Sequence, residues 1–155
     1  MKVYIANDHR GTKYAVALAE FLAAGGNLVE HLGTESEDSC DYPDMAQLLG
    51  ERVAKETGGS GADDTGVFGI GICGSGVGIS IALNKIRGIR ATPVFNDHLA
   101  EFVKRHNNAN VICFSADTQD LADIERYVNI YLQARFEGGR HEQRVKKIHA
   151  LERSQ

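Results

Sequence analysis

Apolar and polar positions follow one another in blocks of two kinds: short apolar runs, and longer stretches in which apolar residues return every three or four positions. Runs of the first kind suit strands covered on both faces, and those of the second suit amphipathic helices. Lys2 to Ala6 reads as a strand, followed by a helix carrying Tyr14, Leu18, Phe21 and Leu22 up to a stop at Gly25-Gly26. Asn27 to Leu32 is a second strand. Asp41-Tyr42-Pro43-Asp44 opens a helix with Met45, Leu48, Leu49 and Val53 on one face. The glycine-rich stretch 58–65 reads as an exposed loop. A third strand ends at Cys73 and a helix starts at Val77. Ile89 to Phe95 is the fourth strand, and Asn96 or Asp97 caps a helix with Leu99, Phe102, Val103 and His106 on one side. Ala109 to Phe114 is the fifth. Asp117-Thr118 opens a long helix through about Glu137, with Asp117 as its N-cap, and a basic helix covers 140–153.

Five strands alternating with helices predict an α/β fold: a three-layer α/β/α sandwich with a five-stranded parallel sheet, Rossmann-like, built as one domain over residues 1–155. In such a fold the ligand lies outside the carboxyl ends of the strands. The loops expected there are Asn7–Gly11, Gly33–Asp41, Cys73–Gly78, Asn96–His98 and Ser115–Thr118. The pattern leaves the strand order open.

One of these loops carries the strongest chemical signal. In Gly66 to Ser80 a single cysteine separates an apolar run from the glycines at 74, 76 and 78. Glycines there allow a sharp turn and leave backbone N–H groups uncovered in front of the next helix, which makes an anion site with a thiol beside it. Cys73 has two readings on this pattern, a small core residue or a thiolate stabilised by those N–H groups, and both stay open. Cys113 reads as core. Gly69-Ile70-Gly71-Ile72-Cys73-Gly74 formally matches GxGxxG, but its first two glycines fall inside the strand, which ranks dinucleotide binding below a phosphate or oxyanion site. A Walker A motif is absent, since Lys85 is out of register.

Composition narrows the picture further. A formal charge of −4 argues against broad nucleic-acid or anionic-membrane binding, and no apolar run is long enough to span a bilayer, so a cytoplasmic location is expected. Cys40, Cys73 and Cys113 are odd in number without a CxxC pair, which fits reduced thiols. His141-Glu142-Gln143-Arg144-Val145 starts like HExxH but has Val145 at the second ligand position, and no metal is expected. A nucleophilic or basic cysteine needs a partner, for which His9 and His106 are candidates. On its own pattern His106 reads equally as a core histidine, or as one whose ring reaches the sheet edge where the thiol lies. Asp8 and His9 double as a turn and cap, and Arg140, Arg144 and Lys147 double as a solvated basic face.

Taken together, six ordered blocks resemble the ribose-5-phosphate isomerase type B family, which includes galactose- and allose-6-phosphate isomerases. They are Asp8-His9; Asp41-Tyr42-Pro43; Ile72 to Ser80; Asn84-Lys85 with Gly88-Ile89-Arg90-Ala91; His106-Asn107 with Asn110-Val111; and Glu137-Gly138-Gly139-Arg140-His141 with Arg144. The resemblance implies a cofactor-free aldose–ketose isomerase of a small sugar phosphate, by default ribose 5-phosphate, with a site shared between subunits of a homodimer or dimer of dimers. It implies Cys73 as the base at C2 and Ser75 as a proton relay. His106 would open the sugar ring with Asp8 nearby. Tyr42, Asn107 and the turn Gly74, Gly76, Val77 and Gly78 would hold hydroxyls or the enediolate, and His9, with a neighbour's Arg140 and Arg144, the phosphate. The basic helix 140–153 would then pack on a partner. Asp117 departs from the family, which commonly has arginine there, and Arg10 is the candidate replacement cation. Asp117 leaves room for a hexose 6-phosphate or a tetrose phosphate; a nucleotide-binding oxidoreductase and a non-catalytic sugar-phosphate sensor are the readings of other classes.

Overall fold

The structure, a computed structural model, describes residues 1–58 and 65–152. The glycine-rich stretch expected to be an exposed loop therefore lies mostly outside the described residues, as does Arg153. Five parallel strands, β1 (Lys2–Asn7), β2 (Leu28–His31), β3 (Val67–Cys73), β4 (Ala91–Pro93) and β5 (Val111–Ser115), form one sheet in the order β2-β1-β3-β5-β4. Six α-helices accompany them among the described residues: α1 (Thr12–Ala24), α2 (Tyr42–Glu56), α3 (Val77–Leu83), α4 (Asp97–Arg105), α5 (Leu121–Gln133) and α6 (Arg140–Leu151).

Strand alternation sorts the core into two layers. Val3, Ile5, Phe68, Ile70, Ile72, Ile112 and Phe114 face α1, α4 and α5. Tyr4, Ala6, Cys73, Val111 and Cys113 face α2 and α3. The three-layer α/β/α expectation is therefore met. Gly69 and Gly71 lie inside β3, where an added Cβ would come within 3.0 Å of Val53 and 3.2 Å of Leu83 respectively. They are packing glycines that let α2 and α3 close onto the sheet, which accounts for the apparent GxGxxG without a dinucleotide.

Several boundaries differ from expectation for local reasons. Helix α2 buries Ala46, Leu49, Gly50 and Val53, whereas Leu48 is 49% exposed, so the buried stripe runs one residue away from the expected face. Edge strand β4 is only three residues long, and Pro93 is tolerated in it because its missing N–H falls on the side away from β5: Val94 N still donates to Cys113 O (3.0 Å). Helix α5 starts at Leu121 after Asp120, not at Thr118 after Asp117, because Ser115 and Gln119 first close a turn: Gln119 Oε1 accepts from Ser115 N (2.7 Å) and Ser115 Oγ from Thr118 N (3.1 Å).

Candidate active site

Cys73, the last residue of β3, is 3% exposed on the face covered by α2 and α3. The chain then turns through Gly76 at φ 73°, where a Cβ would lie 2.9 Å from the Phe114 carbonyl carbon; strain and contact both require glycine. This turn brings the Gly76 N–H to 3.2 Å from Cys73 Sγ as a donor. The loop after β5 ties down the same turn: Ala116 N donates to Cys73 O (2.9 Å), Asp117 N to Gly74 O (3.0 Å) and Ser115 Oγ to Gly74 O (2.7 Å). Cys73 is thus held by two strand ends with a donor on its sulfur. Cys113 has no such opening, and burial pushes its thiol far above the ordinary range.

The loop after β1 lies beside it, since Asp8 N donates to Ile72 O (3.1 Å). Asp8 is 5% exposed and accepts from Arg10 N (2.9 Å), capping the single turn of 3-10 helix His9–Gly11. His9 Nδ1 accepts from Cys40 N (3.2 Å), which leaves the ring proton on Nε2 as a donor. Tyr42, at the start of α2, lays its ring against Gly78, where a Cβ would sit 2.8 Å from Cζ. Ser75 is exposed, and its Oγ accepts from Val77 N (3.2 Å). Cys73, Ser75, Asp8, His9 and Tyr42 therefore converge with Gly74, Gly76, Val77 and Gly78 at the carboxyl end of the sheet. The crossover between β1 and β3 opens the crevice there.

An open cleft of about 290 Å³ continues from this point, lined by His9, Arg10, Lys13, Glu37, Ala116 and Asp117. Asp117 does not cap α5. Its Oδ1 accepts from Arg10 Nε (3.0 Å), and its Oδ2 would lie 2.9 Å from a Cβ on Gly74. The carboxylate holds the Arg10 guanidinium above its already high range through that hydrogen bond and its charge.

His106, Asn107, Arg140 and Arg144 lie elsewhere. Helix α4 runs antiparallel to the strands, and His106 follows its last residue, at the amino end of the sheet. Cys73 pairs with Ser115 and Gly69 with Val111, so the sheet separates the two ends by about 13 Å at a strand rise of ~3.3 Å per residue. The expectations that the His106 ring reaches the thiol, and that Asp8 is its neighbour, fail within one chain because of the direction of α4.

Around His106 a second cluster forms. His141 on α6 stacks on its ring (centroids 4.1 Å apart, planes at 6°), and Phe102 meets its edge at 4.5 Å. Glu137 Oε2 is 3.7 Å from Nε2 of both histidines, and Glu137 Oε1 accepts from Arg105 Nε (2.7 Å). His106, Glu137 and His141 could each offer a metal ligand atom within 4.8 Å of the others. Parallel stacked rings, however, send their in-plane lone pairs along separate planes that do not meet at one ion, and Arg105 already occupies one of the two carboxylate oxygens. The arrangement suits proton handling better than metal ligation.

Asn7 is a site residue that sequence reasoning missed. Fully buried at the end of β1, it donates through Nδ2 to Asp8 O (2.9 Å) and Thr34 O (3.0 Å), while its Oδ1 meets His31 Nε2 at 2.6 Å. It ties the loop of Asp8 and His9 to the loop after β2. A polar residue closing an apolar strand was its signal.

A sequence profile described as ribose/galactose isomerase matches residues 3–148. The chain is 38% identical over 151 residues to the ribose-5-phosphate isomerase B of Escherichia coli, covering 97% of this chain and 96% of that one. The ribose-5-phosphate isomerase B of Clostridium thermocellum superposes with a TM-score of 0.89 at 38% identity, covering 99% of each chain. That of Mycoplasma genitalium, solved with bound ribulose-5-phosphate, superposes with a TM-score of 0.91 at 35% identity, covering 99% of this chain and 97% of that one. With a buried, donor-bound cysteine at a β1–β3 crevice and likeness along nearly its whole length, the chain belongs to the ribose/galactose isomerase family.

Proposed function

We propose that the protein interconverts ribose 5-phosphate and ribulose 5-phosphate through a cis-enediolate, with Cys73 as the base. The observation that carries this reading is Cys73 itself, buried, bonded by the Gly76 N–H, and placed where the β1 and β3 loops diverge. The thiolate takes the proton from C2 of the open-chain aldose and returns it at C1. Ser75, exposed beside it, passes a proton between O1 and O2. Negative charge developing on those oxygens faces the turn of Gly74, Gly76, Val77 and Gly78, where one well-aimed donor is worth about 2.7–4 kcal/mol of barrier. Tyr42 borders the sugar hydroxyls and His9 Nε2–H the phosphate.

The remaining groups come from a second copy of the chain, which brings His106 to open the furanose ring, Asn107 to hold hydroxyls, and Arg140 and Arg144 to the phosphate. Exposed apolar residues near the β4 edge support such a contact: Val77 (50%) and Ile81 (57%) on α3, Phe95 (63%) after β4, and Leu151 (66%) on α6. Helix α6 reaches that edge through Gly88 N–Glu152 Oε1 (3.0 Å) and Arg90–His149 (2.7 Å).

The test is solvent deuterium exchange over a panel of pentose, hexose and tetrose phosphates. Ribose 5-phosphate is expected to gain carbon-bound deuterium fastest. Label appearing in a galactose, allose or tetrose phosphate instead would move the substrate assignment, and neither label nor aldose–ketose turnover with any of them would refute the isomerase reading.

The Arg10–Asp117 pair makes a separate prediction about the distal cleft. A phosphate that uses Arg10 must compete with the Asp117 carboxylate. Asp117→Asn is therefore expected to lower KM for the phosphorylated sugar by about 2–5-fold, the range of an exposed charge pair, and Arg10→Ala to raise it, with kcat little changed. An unchanged KM in Arg10→Ala would show that Arg10 does not contact the phosphate.

A further inference from the structure

The cluster around His106 is more elaborate than a ring-opening histidine needs for its own support, and two of its members have no role in the reading above. Glu137 is fixed from both ends: its backbone N–H donates to Arg105 O (3.0 Å), and its Oε1 accepts from Arg105 Nε (2.7 Å), while Arg105 also pairs with Glu101 (2.5 Å). Its second oxygen is left facing Nε2 of His106 and of His141, 3.7 Å from each. His141 is 6% exposed at the start of α6, its backbone N–H bonded to Gly138 O (3.0 Å). Its ring forms the floor on which the half-buried His106 ring lies.

We propose that Glu137 and His141 are positioning residues for sugar-ring opening, acting through His106: Glu137 orients its Nε2 and His141 fixes its ring plane, so that Nδ1 is presented to the substrate. This rests on the reading of His106 given above. A carboxylate at Nε2 favours the tautomer with hydrogen there, which leaves the Nδ1 lone pair to take the proton of the anomeric hydroxyl; the same proton then goes to the ring oxygen as the C1–O4 bond breaks, so the step consumes nothing. The charged groups around the pair agree with this division of labour. Burial first, then the neighbouring His106, Arg140 and Arg144, hold the His141 imidazole below its ordinary range against the opposing pull of Glu137. His141 Nε2 accepts from Arg140 Nε (3.4 Å), so it does not donate to the one free carboxylate oxygen or compete with His106 for it.

Sugar chemistry supplies a test that a merely structural role would not pass. Ribose 5-phosphate closes a five-membered ring through O4 and must be opened. Ribulose 5-phosphate cannot close one, because its O5 carries the phosphate, so deuterium wash-in at its C1 requires enediolate formation but no ring opening. Glu137→Gln and His141→Phe are expected to lower kcat on ribose 5-phosphate by about 10–100-fold with KM nearly unchanged. Wash-in at C1 of ribulose 5-phosphate should stay within about twofold of the wild type, and Glu137→Asp should regain most of the aldose turnover. Parallel loss of both reactions, from misfolding or a general structural role, or undiminished aldose turnover, would overturn the proposal. Absence of both wash-in and aldose turnover in the wild type would instead overturn the isomerase reading, and this proposal with it.

Discussion

Cys73→Ala is expected to lower kcat on ribose 5-phosphate by about 10³–10⁴-fold while the protein keeps its fold and binds the sugar phosphate with little change. The size follows from what is removed. Among the described residues, proton transfer at carbon has no other base in an equivalent position: Asp8 already accepts the Arg10 N–H as a turn cap, His9 Nδ1 accepts from Cys40, and Asp117 is paired with the Arg10 guanidinium. Stability should suffer little, because Cys73 closes the core at its rim and alanine removes one sulfur from a site bounded by the glycine turn. The measurement is solvent deuterium exchange and turnover of the variant beside its denaturation midpoint. Retention of more than about a tenth of wild-type turnover in a folded Cys73→Ala protein would refute the base assignment.

The second large effect concerns the separation of His106 from Cys73 by the length of the sheet. If one copy supplies Cys73 and another His106, then Cys73→Ala and His106→Ala homomers should each be strongly impaired, the latter by about 10²–10³-fold on the aldose. Hybrids of the two should recover. Random exchange of subunits makes half of the dimers mixed, and each mixed dimer contains one site with both wild-type residues, so activity should return to about a quarter of wild type. Differently tagged copies, purified for mixed species, make the measurement direct. Failure of purified hybrids to recover would contradict a site built across two chains.

The basis for both predictions differs in how far it was legible beforehand. The thiol, the glycine turn after it and the β1 loop were visible as a pattern because they are local: an apolar run ending in a cysteine, then glycines, dictates a strand, a tight turn and uncovered N–H groups. Gly69 and Gly71 were legible only as glycines, and their function in packing appears once Val53 and Leu83 are seen against them. Asp117 shows the opposite case. Its spacing before a helix supported an N-cap, yet its carboxylate is spent on Arg10, which is 107 residues away in sequence and adjacent only because the β1 and β5 loops meet beside β3. Helix α2 was misjudged by one position for a related reason: Met45, Leu48 and Leu49 are all apolar, and only the sheet decides which of them it covers.

The sequence by itself determined the α/β class, the parallel sheet, the family and the identity of the chemical groups, because hydrophobic period, turn residues and motif spacing are properties of neighbours along the chain. Tertiary structure decided what those groups can reach. Strand order β2-β1-β3-β5-β4 put the thiol and the Asp8 loop in one crevice, and the antiparallel run of α4 carried His106 to the far end of the sheet beside Glu137 and His141. The physical reason is direction: in a parallel sheet a residue that ends a strand and one that ends the helix before a strand emerge at opposite ends. Cys73 on β3 and His106 after α4 therefore cannot meet in one chain, and only the packed structure shows which groups gather at each end.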